Sequence, residues 1–102
     1  MSEDKIIVQV DQDLEDLIPG FLENRLADVQ KLKEALSNTD FEILRSIGHS
    51  IKGVGGGYGF DLMSELGADI EASSKVNNAD QVAEKINQLE DYLKRIEVEY
   101  IE

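Results

Sequence analysis

The sequence predicts an all-α protein, an up-and-down antiparallel four-helix bundle with a short N-terminal extended arm and a helical turn. Three observations support this fold class. The 102 residues contain one proline, and a glycine cluster lies between 53 and 59, so most of the chain is free to be helical. Apolar residues recur at steps of three and four in four segments. The connections between these segments are only a few residues long, which favours antiparallel neighbours.

Composition limits the classes of function. The length corresponds to one domain, residues 1–102. Asp and Glu total 22 against 10 Lys and Arg, and a net charge of -12 disfavours binding to nucleic acid or to a membrane surface. The absence of cysteine excludes thiolate zinc sites and thiol nucleophiles, and a single histidine excludes a His-rich metal site. Residues 1–4 do not resemble a secretory signal, so we expect a cytoplasmic protein.

The first twenty residues are predicted to lie beside the bundle. The run from Lys5 to Val10 is the one β-like segment, and without a second strand to pair with it is expected to be an extended arm over residues 1–10. Asp11 caps a short helix over about 11–18. Pro19 then fits the first turn of a longer helix, where its missing N–H costs nothing.

The bundle helices are predicted at about 19–37, 40–57, 61–75 and 79–100. In the last of them apolar residues alternate steps of four and three throughout, and Asn78 with Gln81 marks the start. Its stripe consists of Val82, Ile86, Leu89, Leu93, Ile96 and Tyr100. The first stripe consists of Ile18, Leu22, Leu26, Val29, Leu32 and Leu36.

The second predicted helix carries the single histidine on its outer side. At 100° per residue its apolar face is centred near Ile51, and His49 lies roughly 160° from that centre. The ring is therefore expected to point into solvent. An exposed histidine with no role remains the alternative, because an unperturbed imidazole on a helix needs no explanation.

The residues around His49 are unusual for this chain. No Asp or Glu occurs from 43 to 60, where the share of acids in the whole chain would give about four. Arg45 and Lys52 make this face neutral to basic. Gly53 and Gly56 leave the histidine's side of the helix bare, although glycine in a helix interior costs about 1 kcal/mol relative to alanine. The alternative for the later glycines is a helix end.

These features suit phosphoryl chemistry on the histidine. A neutral imidazole nitrogen is a nucleophile at pH 7, and Lys52, three residues on, can place a positive charge beside a phosphoryl group on the ring. Phosphoryl transfer is mostly positioning and electrostatic stabilisation. Neither G-x-G-x-x-G nor G-x-x-x-x-G-K-[ST] occurs, so we expect no nucleotide site and no autonomous kinase activity.

The motif resembles a known family. His49-Ser50-Ile51-Lys52-Gly53, followed by Gly59, resembles the signature of histidine-containing phosphotransfer (HPt) domains. The resemblance is strongest from about 40 to 75 and includes Glu65-Leu66-Gly67 and Ile70-Glu71. The chain departs from the pattern after Gly53, where Val54 and three glycines replace the usual small Ser or Ala residues.

The resemblance implies a phosphorelay intermediate that accepts a phosphoryl group on His49 from the aspartate of a receiver domain and passes it to another receiver. It implies that Lys52 steadies the phosphoryl charge and that Gly53 and Gly56 give the receiver access. We expect Arg45 and Ser46 in the same surface. The expected protein has no cofactor of its own, receives Mg²⁺ with its partner receiver, and is a monomer without nucleic-acid or membrane partners. The alternative function is a non-catalytic acidic docking or dimerisation module.

Overall fold

The computed structural model describes residues 4–102, which form four α-helices and one two-stranded sheet. The order along the chain is β1 (Ile6–Asp11), a 3-10 turn (Gln12–Leu14), α1 (Ile18–Ser37), α2 (Phe41–Gly57), α3 (Asp61–Lys75), α4 (Ala79–Arg95) and β2 (Ile96–Ile101). The first three predicted helices begin and end within one residue of α1, α2 and α3. The first three residues of the predicted arm lie outside the described residues.

The four helices enclose one hydrophobic core. Each helix contacts the next along the chain, and α1 also contacts α4. The core side chains with no more than 2% exposure are Val10, Ile18, Val29, Leu32, Leu44, Ile51, Phe60, Met63, Ile70, Val82, Ile86 and Leu89. Each helix therefore contributes buried apolar side chains to the core, although Leu26 of the first predicted stripe is 43% exposed.

Polar caps and the proline fix three of the helix starts. The Asp40 carboxylate accepts a hydrogen bond from the Ile43 amide at 3.2 Å, and the Asn78 side chain accepts one from the Gln81 amide at 3.1 Å. Each bond satisfies one of the amides that the first turn leaves without a partner. Pro19 lies in the first turn of α1. The predicted starts at Asn78 and near Pro19 are confirmed.

Helix α4 carries a buried tyrosine and a surface ion pair. Burial, with the Asp61 carboxylate as a second cause, raises the pKa of Tyr92 to about 12. Its hydroxyl is therefore neutral at physiological pH. On the surface, Lys33 of α1 lies 2.8 Å from Glu90 and, by this bond, lowers the pKa of the Glu90 carboxyl.

The predicted fold is wrong at the two chain ends. The last helix does not reach residue 100: it ends at Arg95, and the following residues form strand β2. The extended arm does have a partner, because β1 pairs in parallel with β2, with Ile6 opposite Ile96. The short helix predicted over 11–18 is only the 3-10 turn Gln12–Leu14.

The alternation of apolar residues explains why the C-terminal segment is a strand. In β2 every second residue is apolar, and the inward-facing set packs against the core with the matching set of β1. A continued helix would bury Ile96 and Tyr100 but leave Val98 on another face. The inward-facing residues are Ile6, Val8 and Val10 of β1 and Ile96, Val98 and Tyr100 of β2.

Glycines hold α2 and α3 in backbone contact. A methyl group at Gly67 would lie 2.5 Å from the Lys52 amide nitrogen, and one at Gly48 would lie 2.8 Å from the Glu71 amide nitrogen. A methyl group at Gly55 would lie 2.9 Å from the Ser64 amide nitrogen. Side chains at these three positions would force the helices apart, so the fold itself requires these glycines.

The glycines give a stability prediction. Gly67→Ala should lower the free energy of unfolding by about 1–3 kcal/mol or more, because backbone atoms cannot yield to the added methyl group. Gly53→Ala should raise it by up to about 1 kcal/mol, because nothing lies within 4 Å of a methyl group there. Urea unfolding followed by circular dichroism measures both. Equal effects of the two substitutions would contradict the packing described.

Candidate functional site

His49 lies at the middle of α2 with its ring in solvent. Its side chain is 71% exposed, and the outward direction expected from the helical angle is confirmed. Ile51, two residues on, is fully buried and anchors the opposite side of the helix. The imidazole is therefore open to another molecule without any opening of the core.

One nitrogen of the ring is held by α3. The His49 Nδ1 atom lies 3.0 Å from Glu71 Oε2. The Glu71 side chain is only 15% exposed, and Lys75 Nζ lies 3.9 Å from the same carboxylate oxygen. An ionised carboxylate only accepts hydrogen bonds, so in the neutral ring Nδ1 carries the proton and Nε2 keeps a free lone pair.

The neutral-to-basic surroundings predicted for His49 are wrong in one respect, because a carboxylate from another helix lies beside the ring. The acid-free stretch from 43 to 60 belongs to α2 and its end, but the contact between α2 and α3 brings Glu71 to the ring. The carboxylate touches Nδ1 on one side and leaves the rest of the ring exposed. The site is therefore a cationic helix face with one acidic neighbour.

A surface groove runs beside the ring. Arg45, Ser46, His49 and Glu71 line it, so the structure brings two of the predicted surface residues next to the histidine. Arg45 lies one turn before His49, and both side chains are exposed. A phosphoryl group on the ring would thus have a guanidinium within the same groove.

The other three predicted residues lie on the exposed surface of α2 but do not line this groove. In residues 4–102 the Lys52 ammonium has no ion-pair partner, so its charge is available to a ligand. The Lys52 carbonyl accepts a hydrogen bond from Ser64 Oγ at 2.7 Å. A methyl group at Gly53 would meet nothing within 4 Å, and one at Gly56 would lie 3.5 Å from Ser64 Oγ.

Glu71 is the site residue that the sequence did not single out. It belongs to the Ile70-Glu71 pair within the HPt-like segment, and this was the only signal for it. Ile70 is fully buried, so the next residue lies at the edge of the α3 packing face. Which residue it contacts depends on how α3 is placed along α2, and no spacing within one helix contains that information.

Among residues 4–102 no group of three or more His, Cys, Asp or Glu side chains is arranged to hold a metal ion. In the same part of the chain no helix has the length and apolar character that a membrane span requires.

The part of the chain that holds this site matches a known protein family. The family model of the Hpt domain matches residues 9–99, which contain all four helices and the histidine. No curated protein and no solved structure matches the chain significantly. The family match covers far more than half of the 102 residues. The chain therefore belongs to the Hpt-domain family.

Proposed function

We propose that this chain is a phosphorelay intermediate in which His49 takes a phosphoryl group from the aspartate of one receiver domain and gives it to another. Hpt domains act in two-component signalling as phosphoryl carriers rather than catalysts. The observation that carries the assignment to His49 is its exposed ring, with Nδ1 bound to Glu71 and Nε2 free.

The chemical step is an in-line transfer between two proteins. The Nε2 lone pair forms a bond to the phosphorus of the receiver's aspartyl phosphate, and the bond between phosphorus and the aspartate oxygen breaks. The carboxylate leaves with that electron pair. No proton has to leave the ring, because Nε2 carries none and the Nδ1 proton stays in its hydrogen bond to Glu71.

Glu71 positions the histidine for this step. Its hydrogen bond selects the tautomer that leaves Nε2 nucleophilic, and it also offsets the positive charge that the ring acquires when Nε2 is phosphorylated. Contact with Nδ1 places the carboxylate on the side of the ring away from the incoming phosphoryl group.

Two cations are available to the moving phosphoryl group. Lys52 lies one turn after His49 with no ion-pair partner in the described residues, and Arg45 lies one turn before it in the groove. We assign Lys52 to stabilisation of the phosphoryl charge and Arg45, with Ser46, to the surface that meets the receiver. Gly53 and Gly56 leave room for that surface to approach.

The remaining requirements fall on the partner. The receiver supplies the phosphoaspartate and its Mg²⁺, and this chain, acting as a monomer, supplies the nucleophile without kinase activity of its own.

The contacts that join the start of α1 to the end of α2, among them the Phe21–Tyr58 ring stack at 4.4 Å, support the antiparallel, up-and-down order of the bundle.

The first prediction tests the nucleophile. His49→Gln should abolish labelling by a phosphorylated receiver domain while circular dichroism and thermal unfolding stay nearly unchanged, because the ring is exposed and outside the core. Ser50→Ala, an exposed neighbour, is the matched control and should be labelled like the wild type. Label on the His49→Gln protein would refute the assignment. Absence of label on the wild type with several receivers would favour the docking module.

A second prediction concerns Lys52, whose ammonium has no ion-pair partner in the described residues. Lys52→Ala should slow transfer from the receiver by about tenfold, the usual effect of losing one partly exposed charge contact. The acceptor itself remains, so labelling should still reach completion. Lys94→Ala removes an exposed lysine of α4 and serves as the control. Rapid-quench kinetics measures both rates, and equal rates for the two variants would exclude the role of Lys52.

A third prediction tests whether Glu71 positions the imidazole ring of His49 or only contributes to the stability of the fold. Glu71→Ala should return the ring to a mixture of tautomers and slow transfer by about tenfold. Glu71→Gln should largely retain the rate, because its amide oxygen still accepts the Nδ1 proton. Nitrogen-15 NMR of the imidazole reports the tautomer directly, with Glu65→Ala on the same helix as the control. An unchanged tautomer in Glu71→Ala would rule out this role.

A further inference from the structure

The two-stranded ribbon leaves one edge of each strand without a backbone partner. β1 and β2 pair along their whole length, from Ile6 opposite Ile96 to Asp11 opposite Ile101. In such a pair each strand directs only part of its amide and carbonyl groups to its neighbour, and the others point away. In residues 4–102 no further backbone hydrogen bond joins either strand to another segment, apart from that of the Ile96 amide to the end of α4. The outward groups are therefore available to another extended chain.

The edge of β2 is the more open of the two. β1 lies beside the connection between α2 and α3, because a methyl group on Gly59 would stand 3.9 Å from the Gln9 carbonyl oxygen. Val10 of β1 is also buried. No residue of β2 is buried, and its six residues alternate between half-buried and exposed positions. A second chain therefore meets less obstruction at β2 than at β1.

The sequence of β2 lacks the usual protection of an edge strand. Natural edges are commonly blocked by proline, by lysine, by a bulge or by a charged side chain that points inward. β2 contains neither proline nor lysine, and its register with β1 is continuous. Its inward side chains are Ile96, Val98 and Tyr100, all of them apolar or aromatic and only half-buried. A third strand with apolar side chains at alternate positions would cover them further.

The outer face of the ribbon indicates the charge of the partner. Glu97 and Glu99 are exposed on this face, and no cation of residues 4–102 forms an ion pair with either carboxylate. The Glu99 carboxylate accepts a hydrogen bond from Gln9 Nε2 at 3.2 Å, which holds it over the ribbon. Side chains of a third strand would lie about 5 Å from Glu97 and Glu99 on the same face, where lysine or arginine pairs with them.

The same charges disfavour a second copy of this chain at the edge. Each copy has a net charge of -12, so two copies repel each other. If two β2 strands paired antiparallel about Val98, Glu97 of each copy would lie opposite Glu99 of the other. Like charges directly opposite each other destabilise a strand pair. The occupant that fits the edge is therefore a basic segment of another protein.

We propose that the edge of β2 binds an extended segment of a partner protein in which lysine or arginine alternates with apolar residues, and that this segment adds a third strand to the ribbon. The backbone of the segment pairs with β2, and its basic side chains lie beside Glu97 and Glu99. Its apolar side chains extend the inward face of β2. The proposal is independent of phosphoryl transfer, because neither strand contributes a residue to the groove beside His49.

Peptide binding to the wild-type protein tests strand addition. A dye-labelled peptide of about ten residues, in which lysine and valine alternate, should bind about tenfold more tightly than a scrambled peptide of the same composition, because only the alternating peptide places its charges on one face. Methylation of consecutive backbone amides in the middle of the alternating peptide should weaken binding about tenfold, because it removes strand hydrogen bonds. Fluorescence anisotropy measures Kd. A scrambled or methylated peptide that binds as well as the alternating one would overturn the proposal.

A charge exchange tests the pairing with the two glutamates. The double variant Glu97→Lys/Glu99→Lys should bind the lysine–valine peptide about tenfold more weakly than the wild type and the corresponding glutamate–valine peptide about tenfold more tightly. Glu34→Lys/Glu84→Lys is the matched control, because both residues are exposed on helices and the net charge changes by the same amount. Equal losses in the two double variants would mean that net charge alone attracts the peptide, and the proposal would be overturned.

Sedimentation equilibrium tests the other occupant of the edge. A wild-type monomer that binds one alternating peptide per chain is the expected result. A wild-type dimer that the alternating peptide dissociates would mean that a second copy of this chain pairs with β2, and the basic partner would be overturned.

Discussion

The site depends on one close approach between two helix backbones. Gly48, the residue before the histidine, has no room for a methyl group because the Glu71 amide nitrogen would lie 2.8 Å away. This contact fixes residue 71 beside residue 49, and the 3.0 Å hydrogen bond from Nδ1 to the Glu71 carboxylate follows from it. A larger residue at position 48 or 67 would separate the helices and release the ring.

The same contact changes the charges that surround the histidine ring. Along α2 the surroundings of the ring are neutral to basic, with Arg45 and Lys52 one turn away on either side. In space α3 adds a carboxylate at Nδ1. The roles we propose are therefore divided between separate neighbours: the carboxylate orients the ring, and the cations face the phosphoryl group.

The parallel ribbon of β1 and β2 completes the domain from its two ends. Residues 6 and 96 are 90 positions apart, yet they pair, and the inward side chains of both strands cover the core. A two-stranded sheet has little stability of its own, so the packing of its apolar face onto the helices maintains it. His49 lies in a helix that packs against α1 and α3.

The amino-acid sequence by itself determined the features that depend on residues close together along the chain. Helices α1, α2 and α3 follow from apolar steps of three and four, and the exposure of His49 follows from its angle to Ile51. The tertiary structure alone decided the contacts between distant segments. Glu71 reaches the histidine because of the glycine-to-backbone packing of α2 and α3. The residues after Arg95 form a strand because β1 offers a partner that no local pattern reveals, since the spacing of Ile96 and Tyr100 suits a helix as well as a strand.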